Sequence, residues 1–74
     1  MSDQERWYAT FTKTRDALYE AKRALTVPEI IEVTGCKDST IRTHLARLIE
    51  DGRVVRLPGR PAFFVHKMWV RKKL

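Results

Sequence analysis

Apolar side chains recur at steps of three and four along the first third of the chain. Trp7, Phe11, Thr14, Leu18, Ala21 and Leu25 fall on one stripe when about 100° is allowed per residue, which predicts an amphipathic helix from about residue 3 to 23. Its start is marked by Ser2-x-x-Glu5, a capping box in which each side chain can satisfy the other's backbone N–H. Thr10, Thr12 and Thr14 lower helix propensity, so a break or fraying is expected there. The second half of the stripe reads as core. Trp7 and Phe11, in the first half, reach beyond what a small domain is expected to cover, with Tyr8 and Tyr19 on a shoulder of the stripe.

A second capping box, Thr26-Val27-Pro28-Glu29, carries proline in the first turn, where a missing N–H does no harm. Ile30, Ile31 and Val33 follow, and Gly35 supplies a left-handed stop, which gives a helix of about two turns. Leu25 ahead of it could join a short strand. A third helix is expected from Lys37 or Asp38 to about Asp51, ended by Gly52, with Ile41, Leu45, Leu48 and Ile49 as its buried face. Cys36 reads as a small core residue.

Beyond Gly52 the pattern becomes that of strands. Residues 53–57 and 62–66 are rich in Val and Phe, and the Pro58-Gly59-Arg60-Pro61 loop between them predicts a hairpin. Pro58-Gly59 has type II turn chemistry. Val54 and Val55 are both apolar, so alternation leaves the buried face of the strand open. Residues 67–74 form a basic tail around Trp69. The 74 residues are read as one α+β domain of three helices and a C-terminal hairpin.

Charge sharpens this picture. The net charge is +6, and residues 38–74 hold nine basic side chains against three acidic ones, while the first half is balanced. So uneven a distribution is the footprint of a surface that meets a polyanion, most often nucleic acid. A single cysteine, a polar N-terminus and no apolar run of about 20 residues lead to the expectation of a cytoplasmic protein without secretory leader or membrane partner. Cys36, His44 and His66 lack paired metal-ligand spacing, and no phosphate-binding glycine loop or nucleophile motif is present. No metal, cofactor, small-molecule ligand or enzymatic activity is expected.

The stretch LTVPEIIEVTGCKDSTIRTHLARLIEDGRVVRLPGRPAFFV, residues 25–65, resembles the winged helix-turn-helix of small regulators of the ArsR and MarR type. Glu29-Ile30, Gly35, Cys36, Thr40-Ile41, Leu45-x-x-Leu48 and Asp51-Gly52 carry the likeness. It departs at Lys37, where that family prefers serine or threonine as cap, leaving Asp38 as the residue that could take the cap over. The resemblance implies a helix-turn-helix over about 27–51 and a wing over about 53–66. It also implies a transcriptional regulator, such as a repressor acting by occupancy at the nucleoid, with double-stranded DNA as partner.

A helix-turn-helix lays its second helix in the major groove. The exposed face of residues 38–51 presents Ser39, Thr43, Ala46, Arg47 and Glu50, with Thr40 and His44 on one flank and Arg42 on the other. Ser39, Thr40, Thr43 and Arg47 are expected to read bases. Arg42 and the tail cations Lys67, Arg71 and Lys72 are expected to govern general affinity. Arg42 and Arg47 can each reach a phosphate or a guanine, and Arg56 is a further DNA-binding candidate. Glu50 would repel a phosphate near it, so only the first two turns are expected to enter the groove. Gly59-Arg60-Pro61 is similar to the Gly-Arg-Pro core of AT-hook peptides, with Pro58 in place of their further arginine. Arg60 is therefore expected in the flanking minor groove.

Two readings from other classes stand beside this one: a winged helix used as a protein-interaction or assembly module, and a small architectural DNA factor, excisionase or RNA binder. A homodimer through Trp7, Tyr8 and Phe11 is expected, against the alternative that Trp7 and Phe11 fold back on Trp69.

Overall fold

A computed structural model describes residues 2–70. Helix α1 (Asp3–Ala21), helix α2 (Val27–Thr34) and helix α3 (Asp38–Glu50) are followed by strands β1 (Val54–Leu57) and β2 (Phe63–His66) and a single 3₁₀ turn, Lys67–Trp69. This is the winged-helix arrangement of three helices and an antiparallel hairpin. Arg71 and Lys72, expected to govern general affinity, lie outside the described residues.

Local chemistry sets the boundaries. Both capping boxes form: Ser2 Oγ accepts from the Glu5 N–H while Glu5 accepts from the Ser2 N–H, and Thr26 and Glu29 repeat the exchange at α2. Gly35 ends α2 at φ +74°, where its N–H bonds the Ile31 carbonyl at 2.7 Å. Helix α1 runs unbroken through the three threonines, contrary to the expected fraying. Their hydroxyls turn back onto helix carbonyls: Thr10 onto Arg6 and Trp7, Thr12 onto Ala9, Thr14 onto Thr10.

The core gathers Phe11, Leu18, Ile30, Ile41, Leu45, Leu48, Val54 and Phe64 from all three helices and both strands. The ladder pairs Val54 with His66, Val55 with Val65, Arg56 with Phe64 and Leu57 with Phe63. Burial settles the open question of the strand faces, with Val54 turned inward and Val55 exposed. Leu25 lies beyond the end of α1 and, as its place ahead of α2 allowed, pairs like a strand residue, bridging Phe64 through two backbone bonds of 2.8 and 2.7 Å. Strand β2 therefore lies between Leu25 and β1.

The reversal between the strands spans residues 58–62 and is not a type II turn. Gly59 takes φ +148°, far from the value of about +80° that turn requires, and the Arg60–Pro61 peptide is cis.

Candidate nucleic-acid interface

Helix α3 is held on one side by α1 and on the other by the hairpin. Ile41, His44, Leu45 and Leu48 are buried, with Thr40 and Ile49 half-buried at the two margins. Ser39, Arg42, Thr43, Ala46, Arg47 and Glu50 are exposed, so the polar face inferred from the sequence is open to a partner.

His44 is a correction. Expected on the flank of the exposed face, it is 0% exposed and belongs to the core side of α3. Its position three after Ile41 and four before Leu48 was the signal, since those steps share one helix face. Nε2 lies 2.7 Å from Thr10 Oγ1, while Nδ1 has no hydrogen-bond partner among the described residues. Trp7 and Phe11 each meet the imidazole nearly edge to face, at 4.8 and 5.5 Å between ring centroids. Burial lowers the pKa of this histidine, so the ring is held neutral.

The same cluster revises the reading of α1. Phe11 is buried, and Trp7 stacks on it at 4.8 Å. Trp7 does not fold onto Trp69. Trp69 packs instead on Tyr19, 5.4 Å away between centroids, and its indole N–H donates to the Tyr19 carbonyl at 2.7 Å. Of the three aromatic residues expected at a dimer surface, Tyr8 is the most open at 60%, against 39% for Trp7.

Three hollows border α3, one of them lined by Arg42, Leu45, Ala46, Ile49 and Phe64 against the hairpin; the other two reach other elements. One lies between Trp7 and the first two turns of α3, bordered by Ser39, Thr40, Thr43 and His44. The other lies between α3, the start of α2 and the wing, where Arg42 and Arg56 converge with Pro28, Pro61 and Phe64. Helix and wing thus each bring one arginine to the same recess. Each α3 arginine also has an acidic neighbour one turn away: Arg42 Nε bonds Asp38 at 2.6 Å, and Arg47 Nε lies 3.4 Å from Asp51. All four side chains are well exposed, so these pairs can exchange for phosphate at small cost.

Lys37 occupies the N-cap of α3 without a side-chain cap bond, and Asp38 does not replace it, because its carboxylate is turned to Arg42. Arg60 is exposed at the wing tip, and Lys67 is exposed at the 3₁₀ turn. Lys67 adjoins His66, whose pKa is lowered first by burial and then by the positive charges of Lys67, Arg15 and Arg53. Ser39, Thr40, Arg42, Thr43 and Arg47 thus share α3, Arg56 joins Arg42 across the recess, and Lys67 stands apart at the far end of β2. Among the described residues no cluster of metal-ligating side chains occurs, and no helix is long and apolar enough to cross a membrane.

No protein-family model matches the chain, and no curated protein matches it. Among solved structures, it is similar to the Zalpha domain of PKZ from Carassius auratus, crystallised in complex with Z-DNA. The TM-score is 0.74 at 20% identity, over 82% of this chain and 97% of that one. The likeness is one of fold: it supports a winged helix in general and does not single out the ArsR and MarR type.

Proposed function

We propose that this chain binds double-stranded DNA sequence-specifically and regulates transcription by occupying its site. In this reading α3 enters the major groove and Arg60 the adjoining minor groove. The observation that carries it is the convergence of Arg42 and Arg56 beside the wing, next to an α3 face of short polar side chains. Ser39, Thr43 and Ala46 let the helix backbone approach base edges, and the flanking arginines supply phosphate contacts that fix its register. The structural neighbour, a domain crystallised in complex with Z-DNA, supports duplex nucleic acid as the partner class. A homodimer through the open N-terminal face of α1, centred on Tyr8, would add a second half-site about 34–36 Å away.

Mobility shift against fragments of the source genome, at about 50 and about 200 mM salt, tests the reading. Expected are discrete complexes on a few fragments that outlast the non-specific ones as salt rises. A left-handed CG-repeat duplex belongs in the same series. Preference for it over every right-handed fragment would replace base reading by recognition of duplex shape. Absence of any complex would remove nucleic acid as the partner.

A further inference from the structure

Lys67 and Arg53 stand at the end of the hairpin away from its loop. The Lys67 N–H donates to the Arg53 carbonyl at 2.9 Å, extending the ladder one pair beyond Val54 and His66. This pair lies about 13 Å along the strands from Leu57 and Phe63 beside the loop. The Arg53 N–H in turn donates to the Leu48 carbonyl at 2.9 Å, which ties it to the last turn of α3, about 14 Å along the axis from Ser39. Helix α1 brings a third cation to the same place. Tyr19 meets the His66 ring nearly edge to face at 5.2 Å between centroids, and Arg15 lies one turn earlier on that side of α1. His66 is buried among the three, its pKa lowered by burial and then by the charges of Lys67, Arg15 and Arg53. Arg53 and Lys67 are exposed and form no ion pair among the described residues, whereas Arg15 lies 3.3 Å from Asp16.

Like charges gathered around one buried ring repel one another, so folding alone does not account for the cluster. A polyanion laid over it does. The duplex assigned to the first two turns of α3 and the wing tip is turned away from this end by Glu50 and Asp51, the exposed acids that close α3. Resting on the duplex-DNA reading above, we propose that Arg15, Arg53 and Lys67 form a second phosphate-binding face, so that one protomer holds two duplex segments. One segment lies against α3 and the wing tip, the other against the far end of the hairpin. The second face recognises the phosphate backbone and reads no bases, because it offers long, flexible cationic side chains and no element that fills a groove. Lys67 is thereby separated from the α3 contacts and given a duplex of its own. The sequence continues past Val70 with Arg71, Lys72 and Lys73, which adds to the positive charge of this part of the chain.

The test uses duplexes of about 30 bp, too stiff to fold back on themselves. Beads carrying one such duplex, loaded with protein and washed, should retain a second, fluorescent duplex. Wild type is compared with the double variant Arg53→Gln, Lys67→Gln, with folding checked by circular dichroism and oligomeric state by light scattering. The variant should bind the first duplex within about twofold of wild type and retain the second about tenfold less. The salt slope of the second step should be shallower by about two, one for each lost phosphate contact. NMR gives a reading that needs no variant and so survives a failure of the variant to fold. The His66 ring lies among the three cations, and its signals should move with the second duplex equivalent and not with the first. Undiminished retention by the double variant assigns the bridging to paired protomers and overturns the second face. Equal losses on both duplexes, or His66 signals that move with the first equivalent, merge the cluster with the α3 site and overturn it too. A wild type that binds one duplex and retains no second leaves the cluster to an acidic protein partner and overturns it likewise. Failure of the wild type to bind the first duplex is seen before any of these and overturns the functional reading, the second face with it.

Discussion

Thr10 of α1 and His44 of α3 face each other at 2.7 Å, a polar contact inside an aromatic cage of Trp7 and Phe11. Thr10 Oγ1 also lies 3.0 Å from the Trp7 carbonyl, to which it can give its single proton. The hydroxyl is then left to accept from His44 Nε2–H, which fixes that tautomer and leaves Nδ1 as the bare acceptor. Thr10→Val keeps the shape and removes the acceptor, leaving a buried N–H unpaired. A loss of about 1–3 kcal/mol is expected in urea denaturation. Unchanged stability would mean that the ring finds another partner.

Acid should destabilise the fold through the same residue. Burial holds the folded pKa of His44 below its ordinary value of about 6.5, and His66 is shifted the same way. Between the folded and unfolded values the unfolded chain binds more protons, so the stabilisation is fully present above about pH 6.5 and is lost as pH falls toward the folded values. Denaturation midpoints should therefore drop between about pH 7 and pH 5, and His44→Gln should flatten the curve. A wild-type midpoint that does not move across this range contradicts the assignment.

The caps were legible because each is a local pattern: Ser2 with Glu5, Thr26 with Glu29, and Gly35 all act within four residues of chain. The hairpin was legible for the same reason. His44 was misjudged because its polarity was weighed above its spacing from Ile41 and Leu48. Three further features needed long-range geometry that no local window contains: the pairing of Leu25 with Phe64, the seating of Trp69 on Tyr19, and the choice between Val54 and Val55. For the interface, the sequence singled out the α3 side chains and the wing arginines. It did not bring Arg42 and Arg56 to one recess or Trp7 to the α3 N-terminus, since both depend on how the elements pack.

Lys37 sits where serine, threonine or aspartate would cap α3. Lys37→Ser should raise stability by about 0.5–1 kcal/mol in the absence of DNA, because it supplies the missing acceptor to the first turn. Thermal denaturation reads this directly. No gain would show that the first turn is already satisfied by solvent.

Arg47, the last of the α3 residues expected to read bases, is paired with Asp51 in the free protein. If Arg47 reads a guanine, Arg47→Ala should cost about 1–3 kcal/mol on the preferred site and much less on random DNA. Asp51→Asn should act in the opposite direction on both, since it frees the guanidinium and removes a negative charge from the basic half of the chain. Equal losses for Arg47→Ala on preferred and random duplexes would make Arg47 a phosphate contact.

Arg60 stands between Pro58-Gly59 and Pro61 at the exposed tip of the wing, where its side chain makes no contribution to the core. A loop bounded by two prolines has little freedom to lose, so an arginine carried there is ordered on DNA at a smaller entropic penalty than one on a flexible loop. With α3 in the major groove, the wing tip would meet the minor groove beside it. In A/T-rich sequence that groove is narrow and strongly negative, and it attracts arginine. Arg60→Ala should leave the denaturation midpoint unchanged and weaken binding most on duplexes with A/T-rich flanks. Matched duplexes that differ only in the flanks separate the possibilities. Uniform weakening across A/T and G/C flanks would reduce Arg60 to a phosphate contact, and unchanged affinity on both would take the wing out of the interface.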